Sequence, residues 1–201
     1  ELRFATNYFY SYKFLSGFII QNDIIDDILM FKSFDQKSKK TILKKGSEKY
    51  SVENLFSDEN PLQGAAILSK ATKEFRKYIK MFPSRTDPSL AVLEVTHYSP
   101  DFSYRMSKEL IKQLDKEIAA LDIRSSDNQI LYINSILSSY ESIETSKILG
   151  SILNREFTKK ILANSSDQYA FLVLDPPVYP IDKSKPRRSI ISVSYTHLRA
   201  H

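Results

Sequence analysis

The sequence has no cysteine and no tryptophan, and only three histidines and four glycines among its 201 residues. Without cysteine there is no disulfide, no thiolate metal site and no cysteine nucleophile. Three histidines are barely enough for a histidine-ligated metal. The glycines stand far apart, at positions 17, 46, 64 and 150, so no glycine-rich phosphate loop is present. No window of these residues is apolar for long enough to read as a transmembrane helix. Beside these absences the composition is ordinary. With 42% hydrophobic and 26% charged residues, the chain has the proportions of a folded domain and not of a disordered or collagen-like one. Its length suits one domain, or one domain with an appendage, with enough chain to bury a core.

The net charge of +5 comes from 29 Lys+Arg against 24 Asp+Glu. It is local. Lys37, Lys39, Lys40, Lys44, Lys45 and Lys49 are offset only by Glu48, and six minus one already equals the whole excess. Such a stretch suits a polyanion or anionic-lipid contact. A solvated loop or helix face is the commoner outcome. The stretch lacks interleaved aromatics and the chain has no groove-binding module, so nucleic acid is not an expected partner.

The two ends read as those of a fragment. The chain starts at Glu1 without Met, and the apolar run from Ile190 switches abruptly to Ser194–His201. That octapeptide resembles a translated vector or adapter scar and is set aside from fold reasoning. Without it the chain carries 28 basic and 24 acidic residues, or +4, and His97 is its only histidine. A histidine-based metal or triad site is then excluded.

Along the chain, Phe9, Tyr12, Leu15 and Ile19 recur at helical spacing and predict a helix over 5–20, weakened by Gly17. Asn22 is the expected cap of a second short helix with Asp23, Asp26 and Asp27 at its positive end and Ile24, Ile25, Ile28, Leu29 and Phe31 as its apolar positions. Asn60-Pro61 opens a third helix, whose apolar face is Leu68, Ala71, Phe75 and Tyr78. Residues 78–83 suit an extended strand, and Thr86–Ser89 a turn. Leu90–Tyr98 is the best strand pattern, with Ala91, Leu93 and Val95 on one face. Glu94 and His97 fall on opposite faces and form no dyad, and His97 reads as a strand residue.

Ser99-Pro100-Asp101 then starts a helix with a hydroxyl cap, a proline at the first position and an acid in the first turn. No proline follows until well past Asn164. Ile111, Leu114, Ile118 and Leu121 keep heptad seam spacing. A second seam, Ile123, Ile130, Ile133, Leu137 and Tyr140, runs in shifted phase. A turn is expected within 138–146, followed by a return helix with Ile148, Leu149, Ile152, Leu153, Phe157 and Ile161 as its stripe. A helix from 101 to about 140 would be ~60 Å long. It must therefore protrude, and its stripe needs partners. Tyr169–Asp175 reads as a second strand. Pro176, Pro177, Pro180 and Pro186 then place four of the eight prolines within eleven residues, which enforces an extended, polyproline-like path.

This order of elements resembles the periplasmic domain of the Wzz-type chain-length determinants, the polysaccharide co-polymerases of bacterial envelope glycan synthesis. The most specific match is YAFLVLDPPVYPIDKSKPRRSII, with Tyr169, Phe171, Val173, Asp175, Pro176, Pro177, Pro180, Pro186 and Arg187 on the family pattern of a strand that runs into spaced prolines and a basic pair. LAVLEVTHYSPDFSYRMSKELIKQLDKEI fits the family's strand–SP–helix element. The similarity covers residues 60–193 well and 1–59 loosely.

The resemblance implies an α+β fold with a small membrane-proximal α/β base and a long protruding helical hairpin, a coiled-coil-like arm. The domain would span 1–193, with base segments at roughly 1–100 and 167–180, the arm at roughly 101–166 and a proline-rich spacer at 176–188. Residues 194–201 would be non-native, and the flanking membrane helices would be missing. It implies a non-enzymatic homo-oligomer of the bacterial inner membrane that faces the periplasm, with no cofactor, no metal and no catalytic residue. Its partners would be a membrane-bound polysaccharide polymerase and the nascent polysaccharide. The motif residues are Asp175, Pro176, Pro177, Pro180, Pro186 and Arg187. Two other readings stay open: an adaptor of a tyrosine autokinase in capsule or exopolysaccharide export, and a soluble coiled-coil scaffold unrelated to glycans.

Overall fold

The computed structural model describes residues 2–35, 40–43, 50, 61–87, 90–137 and 142–181. The lysine-rich stretch, apart from the backbone of β2, lies outside them, as do Tyr140, Pro186, Arg187 and Ser194–His201. The elements in chain order are α1 (Leu2–Phe9), α2 (Tyr12–Gln21), α3 (Ile25–Leu29), β1 (Phe31–Asp35), β2 (Lys40–Leu43), α4 (Pro61–Phe75), β3 (Ile79–Pro83), β4 (Ala91–Val95), α5 (Pro100–Leu137) and α6 (Ile143–Ser165). The mixture of helix and strand agrees with an α+β class.

The helix expected over 5–20 is two helices. At Ser11 the backbone is extended, and the Ser11 hydroxyl accepts the Phe14 N–H at 3.1 Å, which starts α2 afresh. Asn22 does not cap the next helix but closes α2. Asp23 follows it in the left-handed region at φ 48°. The Asp23 N–H then reaches Ile20 O at 3.2 Å, and the Ile24 N–H reaches Ile19 O at 3.3 Å. This pair of bonds is a Schellman closure, and its two apolar members, Ile19 and Ile24, are both fully buried. Phe31, expected on α3, belongs to β1.

The strands form two separate antiparallel pairs, β1–β2 and β3–β4. In the second, Ile79 pairs with Val95 and Pro83 with Ala91. Ile79 and Met81 point into the core, while Leu93 and Val95 pack half-buried against it. Ala91, expected on that same face, is exposed. Phe9, Phe14, Phe18, Leu15 and Ile19 of α1 and α2 meet Phe75 of α4 and Met106 and Leu110 of α5 in one apolar cluster. Phe18 and Phe75 stack with centroids 5.7 Å apart. Burying such side chains is worth about 1.5–3 kcal/mol each. Tyr10 ties the α1–α2 corner to the next layer. Its hydroxyl accepts the Met81 N–H at 2.7 Å, and its carbonyl accepts from Arg76 at 2.8 Å.

The expected strand over Tyr169–Asp175 does not form. These residues run as irregular chain with bends after α6. The reason is visible in their N–H groups. Those of Tyr169, Ala170 and Phe171 go to the Asp115 carboxylate, and that of Val173 goes to Gln168 Oε1 at 3.3 Å. Side chains have taken the donors that a sheet ladder would need.

Candidate functional site

The long helix α5 is started as its sequence dictates. Ser99 is buried, and its hydroxyl accepts the Phe102 N–H at 3.3 Å. Pro100 occupies the first turn, where no N–H is required. The helix runs for 38 residues, about 57 Å at 1.5 Å per residue. Its buried face changes along that length. Phe102, Met106, Leu110, Leu114 and Ile118 recur every fourth residue and belong to the core cluster. Of the expected heptad seam, Leu114 and Ile118 are buried, while Ile111 and Leu121 are only half-buried. This half of the helix faces a broad core made by several elements and not a single partner helix, so an i, i+4 stripe replaces the narrower seam.

Beyond Ile118 the neighbour is α6, which returns antiparallel. Ile130 and Ile133 of the expected second seam are buried there, and Ile123 and Leu137 are half-buried. The register is fixed by polar pairs. Lys159 Nζ donates to Asp122 Oδ1 at 2.7 Å, Lys160 Nζ to Asp127 Oδ1 at 2.6 Å, and the Ser126 hydroxyl to Glu156 Oε2 at 2.9 Å. Ser126 is fully buried and Glu156 is 4% exposed.

The stripe expected on α6 is therefore divided. Positions 149, 152, 156, 159 and 163 keep three–four spacing on the side that meets α5. Leu149 and Ile152 are half-buried, Glu156 and Ala163 are buried, and Lys159 reaches across. Ile148, Phe157 and Ile161 point outward instead, together with Ile143 and Leu162. Leu131 and Tyr132 of α5 are also exposed. Ile143, Phe157 and Ile161 share one side of α6, so that side of the hairpin carries large apolar side chains left uncovered among the described residues.

The segment after α6 lies back along α5. Asp115, 8% exposed, is its anchor. Its Oδ1 accepts the Ala170 N–H at 2.7 Å and the Phe171 N–H at 2.9 Å, and its Oδ2 accepts the Tyr169 N–H at 3.1 Å. The Tyr169 hydroxyl donates to Asp122 Oδ2 at 2.9 Å, and the Phe171 side chain packs on the core cluster. Further on, the Tyr179 ring meets Tyr104 edge-on with centroids 5.9 Å apart. Its hydroxyl bonds Asp101, and desolvation followed by that carboxylate raises its pKa above the usual phenol value. The contacts step from Asp122 and Asp115 back to Tyr104 and Asp101. The proline segment therefore runs antiparallel to α5 and ends beside the first turn of that helix.

Of the motif residues, Asp175, Pro176 and Pro180 are exposed and Pro177 is half-buried. Pro186 and Arg187 fall outside the described residues. The contacts that hold the segment come from Tyr169, Ala170 and Phe171 before it and Tyr179 within it, with Asp115, Asp122, Tyr104 and Asp101 on the helix. The sequence marks Tyr169 and Phe171 but gives no sign of Asp115, which looks like any acid on a solvated helix face.

His97 lies just past β4 in an aromatic enclosure. Phe102, Phe31 and Tyr78 stand 4.2, 4.9 and 4.9 Å from its ring. Its Nδ1 accepts the Ser99 N–H at 3.2 Å, and burial pushes its pKa down to about 4. It is a neutral packing residue at the junction where β4 hands over to α5. Further along α5, the Tyr8 hydroxyl donates to Glu117, and burial together with that bond raises the phenol to about 12.

Among the described residues no group of His, Asp and Glu is arranged to hold a metal ion, and no helix is long and apolar enough to cross a membrane. No protein-family model matches the chain, and no curated protein sequence matches it.

Proposed function

We propose that this chain is the periplasm-facing domain of a Wzz-type chain-length determinant. In this reading it is a non-enzymatic, homo-oligomeric co-polymerase of the bacterial inner membrane that sets the length of an O-antigen or related surface polysaccharide. The observation that carries the reading is the path of the chain from Ser99 to Ile181. A long helix leaves a small α+β base, a second helix returns, and the proline segment is laid back along the long helix to its first turn. Both ends of the arm are thereby returned to the base, from which a membrane-spanning segment would continue.

Exposed Ile143, Phe157 and Ile161, which share one side of α6, support lateral association of arms through a coiled-coil-like face. The antiparallel register, set by Lys159–Asp122, Lys160–Asp127 and Glu156–Ser126, gives each copy a defined arm to present. Length control needs no bond-making group in this domain. It needs a rigid assembly against which a polymerase partner and its growing glycan are measured.

The test is to express the intact gene in a strain lacking its own chain-length determinant and to resolve the surface glycan on a gel. A modal cluster of lengths is expected. A random ladder indistinguishable from the deletion strain would overturn the reading. The intact gene should also encode an apolar span directly after Ile191. A nucleotide-binding P-loop encoded downstream would instead favour the autokinase adaptor.

A further inference from the structure

We infer that Asp115 is a releasable clasp, whose single carboxylate decides whether residues 169–181 lie docked along α5 or hang free. Three consecutive backbone N–H groups converge on this one side chain from 54 to 56 residues away. Their donors are used by no ladder and no helix, so the segment has no secondary structure of its own to hold it. Its outward side chains contribute little: Leu172, Leu174, Val178 and Ile181 are all exposed. Other attachments include the Tyr169 hydroxyl on Asp122, the Phe171 ring on the core, the Tyr179 ring on Tyr104 and the Tyr179 hydroxyl on Asp101.

An attachment built from a few hydrogen bonds over exposed chain belongs to the low-stability end of a fold and opens locally before the rest unfolds. The consequence is geometric. Docked, Tyr179 is held beside Tyr104 and Asp101. Released, residues 169–181 sweep a radius of roughly 40 Å about the end of α6 when extended. The clasp therefore switches Tyr179 between one fixed point and a wide range. It stands on these contacts alone, independent of what the domain regulates.

The absence of cysteine makes a direct test simple. Lys112→Cys and Val178→Cys place two spin labels, one on α5 and one on the segment. In the otherwise unchanged 201-residue chain a single narrow distance distribution is expected. Adding Asp115→Asn should broaden it. Amide exchange at Tyr169, Ala170 and Phe171 should quicken by about tenfold or more while that of α5 stays as it was. An unbroadened distribution with unchanged exchange in folded Asp115→Asn overturns the clasp. So does loss of protection along α5 itself, which would make Asp115 a residue of general stability. Ala170→Pro removes one donor without touching α5, and it covers the case in which Asp115→Asn does not fold. It should speed exchange at Tyr169 and Phe171, and unchanged exchange there overturns the proposal equally.

Discussion

The Ser126 hydroxyl donates to Glu156 Oε2 at 2.9 Å across the hairpin, between two side chains that are both almost fully buried. The other Glu156 oxygen is held by Arg155 at 3.1 Å, whose own side chain is largely exposed. A buried carboxylate in a helix seam is a poor source of net stability, because desolvation offsets most of the attraction. Its use is positional. Sliding the return helix by one turn would separate Glu156 from Ser126, Lys159 from Asp122 and Lys160 from Asp127 together.

Ser126→Ala is accordingly expected to cost about 1 kcal/mol by removing one partner of a buried acceptor. Glu156→Leu is expected to be neutral or stabilising by about 1–2 kcal/mol while loosening the register. In the Glu156→Leu background, Ser126→Ala should then cost almost nothing. Urea unfolding of the two single variants and the double variant gives the coupling directly. Equal costs for Ser126→Ala in both backgrounds would show that the bond is not the source.

His97 makes stability depend on pH with a definite sign. Its folded pKa of about 4 lies below the ordinary histidine value of 6.5. Above about pH 6.5 the ring is neutral in both states and its contribution is complete. As pH falls from there toward 4, the unfolded chain takes up the proton and the folded chain does not, so stability drops. Below about pH 4 this contribution is flat. After allowance for solvent screening of a partly buried ring, the loss is on the order of 2 kcal/mol. His97→Phe keeps an aromatic ring in the enclosure but removes the acceptor of the Ser99 N–H, a cost of about 1 kcal/mol near pH 7. Phenylalanine also removes the buried His97 Nε2, which has no hydrogen-bond partner among the described residues, so the two proteins should be close in stability at pH 7 and the variant the more stable near pH 4.5. Unfolding midpoints at the two pH values decide it. A constant gap means that His97 does not titrate with folding.

The fold is legible in the sequence where one local signal has one physical outcome. Ser99-Pro100-Asp101 starts α5 because a hydroxyl cap followed by proline has few alternatives. Leu68, Ala71 and Phe75 are buried together because their spacing leaves one face. It is not legible where tertiary partners choose between options that look alike in sequence. YAFLVLD has a strand's alternation, yet Asp115 takes its donors, and nothing marks that acid among the other charges of α5. Asn22 caps either end of a helix, and only the left-handed Asp23 beside it tells which. Leu149 and Ile152 turn inward while Ile148, Phe157 and Ile161 turn outward. The seam is set by Glu156 and Lys159, two residues that a search for apolar periodicity passes over. The β1–β2 pair was missed because Phe31–Asp35 alternates too weakly to be separated from α3.

Two backbone positions offer a test of the helix assignments themselves. Gly17 and Gly150 sit inside α2 and α6, and a Cβ added at either meets nothing within 4 Å. Each glycine costs its helix conformational entropy without serving a close approach. Gly17→Ala and Gly150→Ala should each stabilise the domain by about 0.5–1 kcal/mol. Asp23 is the opposite case. At φ 48° it occupies the position where a Schellman closure prefers glycine, and Asp23→Gly should stabilise by about 0.5–1 kcal/mol. Asp23→Ala should not, since alanine keeps the Cβ penalty and loses the local hydrogen bonding of the acid. Thermal unfolding of the four variants separates the two effects. If Asp23→Ala stabilises as much as Asp23→Gly, the left-handed closure of α2 is wrong, and with it the turn that delivers Ile24 to the core.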